Sequence, residues 1–294
     1  MSVSTSAKST AFSMLQGART RPRKPPLMGQ ASVSAPVIWT GRGLVLLALI
    51  GGWQLFPTVE SLQGLSPIFD EFFVSSPLRV QEQLGKLLLG GELEFWRHLW
   101  FTTQGLFLGF FFGMTAAVSS ALILTNSPLL RKAFTPIIDV INAVPTVAMV
   151  PLFVVMFGPT LLTSTVVATQ TVFFFAFFNA YGGAASMPSA LKDNASLLGA
   201  TPRDVMWRIR ARYALAWTIE IVPAAIGRAL TAAFVAELFS GSPGFGRLVR
   251  RALLTINSDL TFSVVIVLSV FGVVLSGLVK VATRRYLHWW PSSR

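Results

Sequence analysis

The chain has 294 residues, of which 53% are hydrophobic and only 12% are charged, and its formal net charge is +12. Soluble domains carry about 25% charged residues, so this composition excludes one large soluble core as the default. The chain contains no cysteine, which excludes a disulfide framework, a thiolate metal site and a catalytic thiol.

The first 36 residues are rich in Ser, Thr, Arg and Pro and contain no acidic residue. We predict a disordered cytoplasmic tail over residues 1–36, followed by a transmembrane domain over residues 37–290. The composition of the tail overlaps with that of an organellar targeting segment, so that alternative stays open.

Six apolar runs follow in chain order, and the first of them is marginal in length. The runs are apolar on all faces and do not alternate as barrel strands do, so we predict helices. The sequence therefore predicts an all-α, polytopic membrane protein with about six transmembrane helices. The predicted spans are Trp39–Thr58, Leu99–Thr125, Pro136–Phe157, Leu161–Tyr181, Ala214–Phe239 and Leu260–Ala282.

A short amphipathic helix is predicted between the first two spans. Ser76 is a suitable N-cap, Pro77 suits the first helical position, and leucines recur at helical spacing until Gly90-Gly91. We expect this helix to lie along the outer surface of the membrane.

The third and fourth spans carry unusual residues. Pro145 and Pro151 lie six residues apart in the third span, and each removes a backbone donor. They indicate either a kink that fits packing or a helix that lines a cavity. The run Val172–Phe178 in the fourth span favours a lipid-facing or packing surface, with an aromatic substrate site as the alternative.

A polar, charged segment separates the fourth and fifth spans. Counting from Asp193, an Ala lies two positions on, Gly199 six positions on and Ile209 sixteen positions on. This spacing resembles the cytoplasmic coupling loop, or EAA loop, of ABC importer permeases. Asp193 replaces the Glu of that pattern, Asn194 replaces its first Ala, and Ala211-Arg212 replace its Leu-Pro. The alternative is an ordinary basic cytoplasmic loop.

Other stretches are similar to the permeases of nitrate, sulfonate and taurine importers. The resemblance covers residues 75–288 and implies the type I ABC importer permease fold. The motifs that carry it are Ser75-Ser76-Pro77, Val144-Pro145, Val150-Pro151-Leu152-Phe153, Phe157-Gly158, Asn179, Gly182-Gly183, Ala236-Glu237-Leu238 and Gly244-Phe245-Gly246.

The resemblance implies several partners. They are a second permease copy in a homodimer, two copies of an ABC ATPase subunit, and an external or periplasmic solute-binding protein. The chain has no phosphate-binding loop of its own, so we expect no enzyme activity and no cofactor. The bilayer is the remaining partner, and we expect no nucleic acid, because the positions of the basic residues suit a membrane protein.

The positive-inside rule predicts an inner-membrane protein with both termini in the cytoplasm. Arg247, Arg250 and Arg251 are the exception, since this topology places them outside. The predicted function is the translocation path for a small solute, an anion such as nitrate, a sulfonate, taurine or a related compound. The alternatives are an ABC-associated lipid-transport permease and a passive membrane channel.

The coupling loop, residues 190–212, is predicted to form two short helices around Gly199, with Thr201 capping the second. Leu197, Leu198, Val205 and Ile209 would fit a groove on the ATPase. The residues predicted to couple to the ATPase are Asp193, Ala195, Leu198, Gly199, Arg203 and Ile209.

Arg228 lies near the middle of the fifth span, where a charge is costly and tends to face a cavity. It is the predicted contact for an anionic substrate, and the alternative is a buried ion pair with Asp139. Glu237 is expected to hold the loop Gly244–Gly246, as a gate or as a stabilising contact. The residues predicted to form the translocation path are Arg228, Glu237, Asn142, Thr146 and Met149.

Overall fold

The computed structural model describes residues 35–55, 74–89, 91 and 94–286. The predicted N-terminal tail and the last residues of the first predicted span lie outside this part of the chain. The described residues form helices and no strand, as predicted. The helices are α1 (Ala35–Leu55), α2 (Pro77–Leu89), α3 (Phe95–Asn126), α4 (Pro128–Ala143), α5 (Thr146–Phe157), α6 (Leu161–Ala185), α7 (Ser189–Leu197), α8 (Pro202–Ser240), α9 (Phe245–Leu254) and α10 (Ser258–Tyr286).

Five of these helices are long and apolar enough to cross a membrane, and a sixth span results if α4 and α5 are counted together. The expected number of spans is therefore confirmed. The third predicted span is wrong as a single helix, because α4 and α5 meet at 90°. Val144 has extended backbone angles at the break, since a residue that precedes proline disfavours the helical region. Pro136 and Pro151, in contrast, lie inside α4 and α5.

The chain divides into two compact units at the boundary between Gly52 and Trp53. The described part of the first unit is the apolar helix α1, whose last turn continues into the second unit. All the other described helices belong to the second unit.

Helices α3, α6 and α8 form the centre of the second unit. Gly109 and Gly113 of α3 lie directly against α6. A methyl group on Gly113 would lie 2.7 Å from the carbonyl oxygen of Thr169 and 2.8 Å from Cβ of Val172. Glycine is therefore needed for this close approach, as is common between membrane helices.

Helices α3 and α8 run in opposite directions. Thr102, near the start of α3, contacts Glu237, near the end of α8, and Arg210 contacts Thr125 at the other end of the pair. The coupling loop and helix α9 therefore lie at opposite ends of the bundle. At 39 residues, α8 is about 58 Å long, well beyond the roughly 30 Å of the hydrocarbon core.

The end of the bundle that carries α9 has a hydrophobic core of its own. It is formed by Leu87 of α2, Phe95 of α3, Phe245 and Leu248 of α9, and Val264 of α10. Helix α2 is the amphipathic helix that the sequence predicts, and its buried Leu87 packs into this cluster. It is thus fixed to the bundle by protein contacts.

Candidate translocation path and coupling loop

The predicted coupling loop, residues 190–212, contains a helix, a sharp turn and the start of a second helix. Helix α7 begins at Ser189 and ends at Leu197, and Gly199 follows with a φ of +84°. Thr201 then caps the next helix: its hydroxyl accepts the N–H of Asp204, whose carboxylate accepts the N–H of Thr201. Two helices around Gly199 are therefore confirmed, but the second is not short, because it continues into α8.

The tip of the coupling loop presents apolar side chains to its surroundings. Leu197 is 86% exposed and Leu198 is 89% exposed, and no atom lies within 4 Å of the position where Gly199 would carry a side chain. These features leave room for a partner at the tip. Val205, however, is only 5% exposed, so its predicted insertion into an ATPase groove is wrong.

The remaining predicted coupling residues differ in exposure. Asp193 and Arg203 are exposed, whereas Ala195 and Ile209 are partly buried. Leu198, Gly199, Asp193 and Arg203 thus form an accessible surface. Ile209 belongs to the segment that joins the loop to α8.

The segment Val205–Arg210 has π-helical hydrogen bonding and joins the coupling loop to the rest of α8. Nη1 of Arg210 donates a 2.9 Å hydrogen bond to the carbonyl oxygen of Thr125, near the end of α3. A cation at this position also suits the negative end of the α3 dipole. The loop is therefore tied to two membrane helices, α8 directly and α3 through Arg210.

A cavity of about 580 Å³ lies between α5, α6 and α8. We call it the aliphatic lobe, because most of its lining side chains are aliphatic. Its lining residues are Thr146, Val147, Val150, Val167, Thr171, Ala224, Gly227, Arg228, Thr231, Ala232 and Val235.

A second cavity of about 330 Å³ adjoins the first. We call it the aromatic lobe. The two lobes share Thr146, Thr171 and Arg228. The remaining residues that line the aromatic lobe are Asn142, Phe174, Phe175, Phe178 and Asn179.

Arg228 lies at the junction of the two lobes. The carbon of its guanidinium group, Cζ, is 4.3 Å from the centre of the Phe175 ring, a cation–π contact. Arg228 remains exposed in this contact, so its N–H groups are accessible to an anion. No ion pair joins Arg228 to Asp139, both of which are described, so that alternative is wrong.

The structure brings Asn142 and Thr146 together with Arg228, as three of the five predicted path residues. Met149 lines neither lobe; its sulfur accepts a 3.0 Å hydrogen bond from Nε2 of Gln170. Glu237 also lies away from both lobes. The five predicted path residues therefore fall into two sets: three line the lobes around Arg228, and the other two lie outside the lobes.

Glu237 is fully buried near the end of α8. Its Oε2 accepts a 2.9 Å hydrogen bond from the hydroxyl of Thr102 and a 3.1 Å bond from the N–H of Gly246. The Thr102 hydroxyl in turn accepts the N–H of Phe245 at 3.1 Å. The carboxylate therefore holds the loop after α8, as predicted, by joining it to α3.

Among the residues of these sites that are missing from the predicted set are Phe175, Thr171 and Thr102. Thr171, Phe175 and Phe178 recur at helical spacing on one face of α6, a signal that could have indicated a cavity. Phe177 is buried in the core, as expected for a packing surface. No local pattern pairs Thr102 with Glu237, which lies 135 residues away.

The sequence of this chain matches a known family over residues 109–288, more than half of its length. That family is described as the binding-protein-dependent transport system inner membrane component. The chain belongs to this family. It is therefore a multi-pass permease subunit of an ABC importer, which implies a separate ATPase and a solute-binding protein. The lipid-transport and passive-channel alternatives are set aside by this match.

Several known permeases are similar to this member of the family. A probable ABC transporter permease protein of Haemophilus influenzae is 27% identical over 76% of this chain and 87% of its own. The taurine transport system permease protein TauC of Escherichia coli is 25% identical, covering 79% of this chain and 84% of its own. The riboflavin transport system permease protein RibX of Chloroflexus aurantiacus is 26% identical, covering 86% and 92%.

Proposed function

We propose that this permease forms the translocation path for a small anionic solute, with Arg228 as the anion contact. The position of Arg228 carries this proposal. The guanidinium group lies over the ring of Phe175 at the junction of two cavities, within the membrane-spanning part of α8. No Asp or Glu among the described residues forms an ion pair with it. A charge in such a position is costly unless it meets a counter-charge, and an anionic solute supplies one.

The coupling loop would receive the force for transport from an ATPase subunit. Its exposed tip at Leu197 and Leu198 offers apolar contacts, while Asp193 and Arg203 can pair with charges around a groove. Movement of the loop would reach α8 through a continuous helix and α3 through the Arg210–Thr125 hydrogen bond. The loop would therefore change the shape of the cavity between α5, α6 and α8.

A second copy of this permease would complete the path. In a single chain, the aliphatic lobe is open on one side, where its lining residues Ala224, Arg228 and Thr231 are exposed. A closed path needs a wall over this open side. Two copies facing one another would form a homodimer, with one ATPase bound to each coupling loop. The complex would lie in the inner membrane, with both termini of each permease in the cytoplasm. The binding protein would deliver the solute to the side of the membrane opposite the cytoplasm.

The substrates named for the relatives differ, and two of them carry an anionic sulfonate group: taurine and the aliphatic sulfonates named for a putative permease of Bacillus subtilis. An anionic solute of that general kind suits Arg228 because a guanidinium group can form two parallel hydrogen bonds with a sulfonate or carboxylate. Nitrate-sized and larger organic anions are both within the size of the cavities.

The test is uptake by the Arg228→Gln variant, which removes the charge and retains a polar side chain of similar length. We expect uptake to fall by about tenfold or more, while assembly with the ATPase and basal ATP hydrolysis persist. Asp139→Asn is the matched control and should retain uptake. Failure of both variants to assemble would contradict the proposal and indicate that Arg228 and Asp139 act together in folding.

A further inference from the structure

Resting on the proposed function of Arg228, we infer that Arg250 is a second anion contact, at the outer mouth of the same path. An anion that enters from this end would meet Arg250 first and Arg228 second. Three features of α9 point to this role: its charges, the absence of ion pairs to them, and the place of Arg250 beside α8.

Helix α9 carries three arginines on its exposed face, Arg247, Arg250 and Arg251. The opposite face is buried in the cluster that contains Phe245 and Leu248. These arginines are the exception to the positive-inside rule, because the predicted topology places α9 outside. Membrane orientation therefore does not account for them, and a cationic surface at this end attracts anions.

No acidic residue in the described part of the chain forms an ion pair with these arginines. The described acidic residues at this end of the bundle have other partners. Glu82 pairs with Lys86, Glu94 pairs with Arg97, Glu237 accepts from Thr102 and Gly246, and Asp259 accepts from Ser75. Within the described chain, the charges of α9 are thus left to an anion from outside.

Arg250 differs from the other two arginines because its guanidinium group lies against the end of α8. Its Nη1 donates a 3.3 Å hydrogen bond to the carbonyl oxygen of Phe239, where the helix dipole also favours a cation. A side chain on Gly241 would lie 2.6 Å from the same Nη1, so glycine leaves space for the group. The hydrogen bond uses one N–H of a guanidinium group that has several, and Arg250 remains exposed.

Phe239 lies on the face of α8 that lines the aliphatic lobe. Arg228, Thr231 and Val235 line that lobe, and Phe239 follows Val235 by about one helical turn. Phe239 is 48% exposed, so in a single chain this face stays open beyond the lobe. The rise along the helix from Arg228 to Phe239 is about 16 Å. Arg250 therefore lies at the outer end of the surface that carries Arg228.

Two cations along one face of α8 would give an anion one contact at the mouth and another within the path. A fixed positive charge at an entrance raises the local concentration of anions. The binding protein would release its solute at this end, and Arg250 would hold the anion there before it reaches Arg228.

The test uses iodide as the anionic probe and acrylamide as a neutral probe, and both quench a bimane fluorophore on a single cysteine. The full-length permease is studied in nanodiscs of zwitterionic lipid, and it has no cysteine of its own. Phe239→Cys places the fluorophore beside Arg250, and Thr231→Cys places it in the aliphatic lobe. The ratio of iodide quenching to acrylamide quenching measures the local anion concentration and cancels a change in exposure of the fluorophore.

We expect Arg250→Gln to lower this ratio about twofold at position 239, at an ionic strength of about 0.1 M, and to leave it unchanged at position 231. Glutamine can still donate to the carbonyl oxygen of Phe239, so the loss reports the charge. Arg250→Lys retains the charge and should retain the ratio. Arg251→Gln is the matched control, because it removes the same charge from an exposed neighbour on α9, and its effect should be clearly smaller.

An unchanged ratio at position 239 in Arg250→Gln would overturn the inference. Equal losses in Arg250→Gln and Arg251→Gln would overturn it too, because they indicate a diffuse positive surface rather than a contact at Arg250. Neither result bears on Arg228, which has its own readout: Arg228→Gln should lower the ratio at position 231. No change there would overturn the proposed anion contact at Arg228, whatever happens at Arg250.

Discussion

The hydroxyl of Thr102 donates a 2.9 Å hydrogen bond to the carboxylate of Glu237 and accepts the N–H of Phe245 at 3.1 Å. Through this one side chain, α3 is joined both to the end of α8 and to the start of α9. All three groups are buried. A buried polar group that loses its partner retains the full penalty of its removal from water.

Thr102→Val should therefore destabilise the protein, because it keeps the shape of the side chain and removes its hydroxyl. We expect a loss of about 1–3 kcal/mol, seen as a lower midpoint of thermal unfolding, followed by tryptophan fluorescence of the purified protein. Thr102→Ser is the matched control, since it retains the hydroxyl and should unfold closer to the unmodified protein. Equal midpoints for all three proteins would show that the hydrogen bonds at Thr102 do not stabilise the fold.

Gly113→Ala should also lower stability, because the added methyl group would lie 2.7 Å from the carbonyl oxygen of Thr169. Overpacking of this kind typically costs about 1–3 kcal/mol. Gly277→Ala provides the comparison, as Gly277 is also in a helix but has nothing within 4 Å of its side-chain position. There the greater helix propensity of alanine should leave stability unchanged or raise it slightly. Similar midpoints for the two variants would contradict the close contact between α3 and α6.

Gly199→Trp should prevent docking of the ATPase, because the side chain would project from the exposed tip of the coupling loop. We expect the protein to reach the membrane but to lose uptake and to recover little ATPase on purification. Gly199→Ala imposes the same unfavourable φ of +84° without the bulk, so it should retain most of both. If the two variants behave alike, backbone strain rather than docking explains the loss. Normal ATPase recovery and normal uptake in Gly199→Trp would refute the role of the loop.

A cysteine at Ser196 should react with a membrane-impermeant maleimide only after the inner membrane has been permeabilised. Ser196 is exposed on α7, and the chain has no cysteine of its own to give a background signal. Leu254→Cys, which is exposed on α9 at the opposite end of the bundle, should react in intact cells. Labelling of Ser196→Cys in intact cells would reverse the proposed topology.

The number of spans and the two helices around Gly199 could be predicted from the sequence because both depend on local properties. Each span is an apolar run long enough to cross the bilayer. Each helix of the loop begins or ends near a residue that favours a helix end by its own chemistry. Thr201-Pro202 is a strong local signal for the start of a helix, and Gly199 permits a backbone conformation that other residues rarely adopt. The break between α4 and α5 was marked by Pro145, but the angle of 90° was not predicted, because it depends on what the two helices pack against.

The composition of this chain determined that it lies in a membrane, since long apolar runs cannot be covered by a soluble core of this size. The order of its motifs further indicated an importer permease. Only the tertiary structure decided which polar residues meet. Arg228 stacks on Phe175, 53 positions away in the chain, rather than pairing with Asp139, and Glu237 bonds to Thr102 rather than facing the cavity. Such contacts depend on how neighbouring helices rotate and slide against one another, and that is set by packing at residues such as Gly113, which brings α3 close to α6.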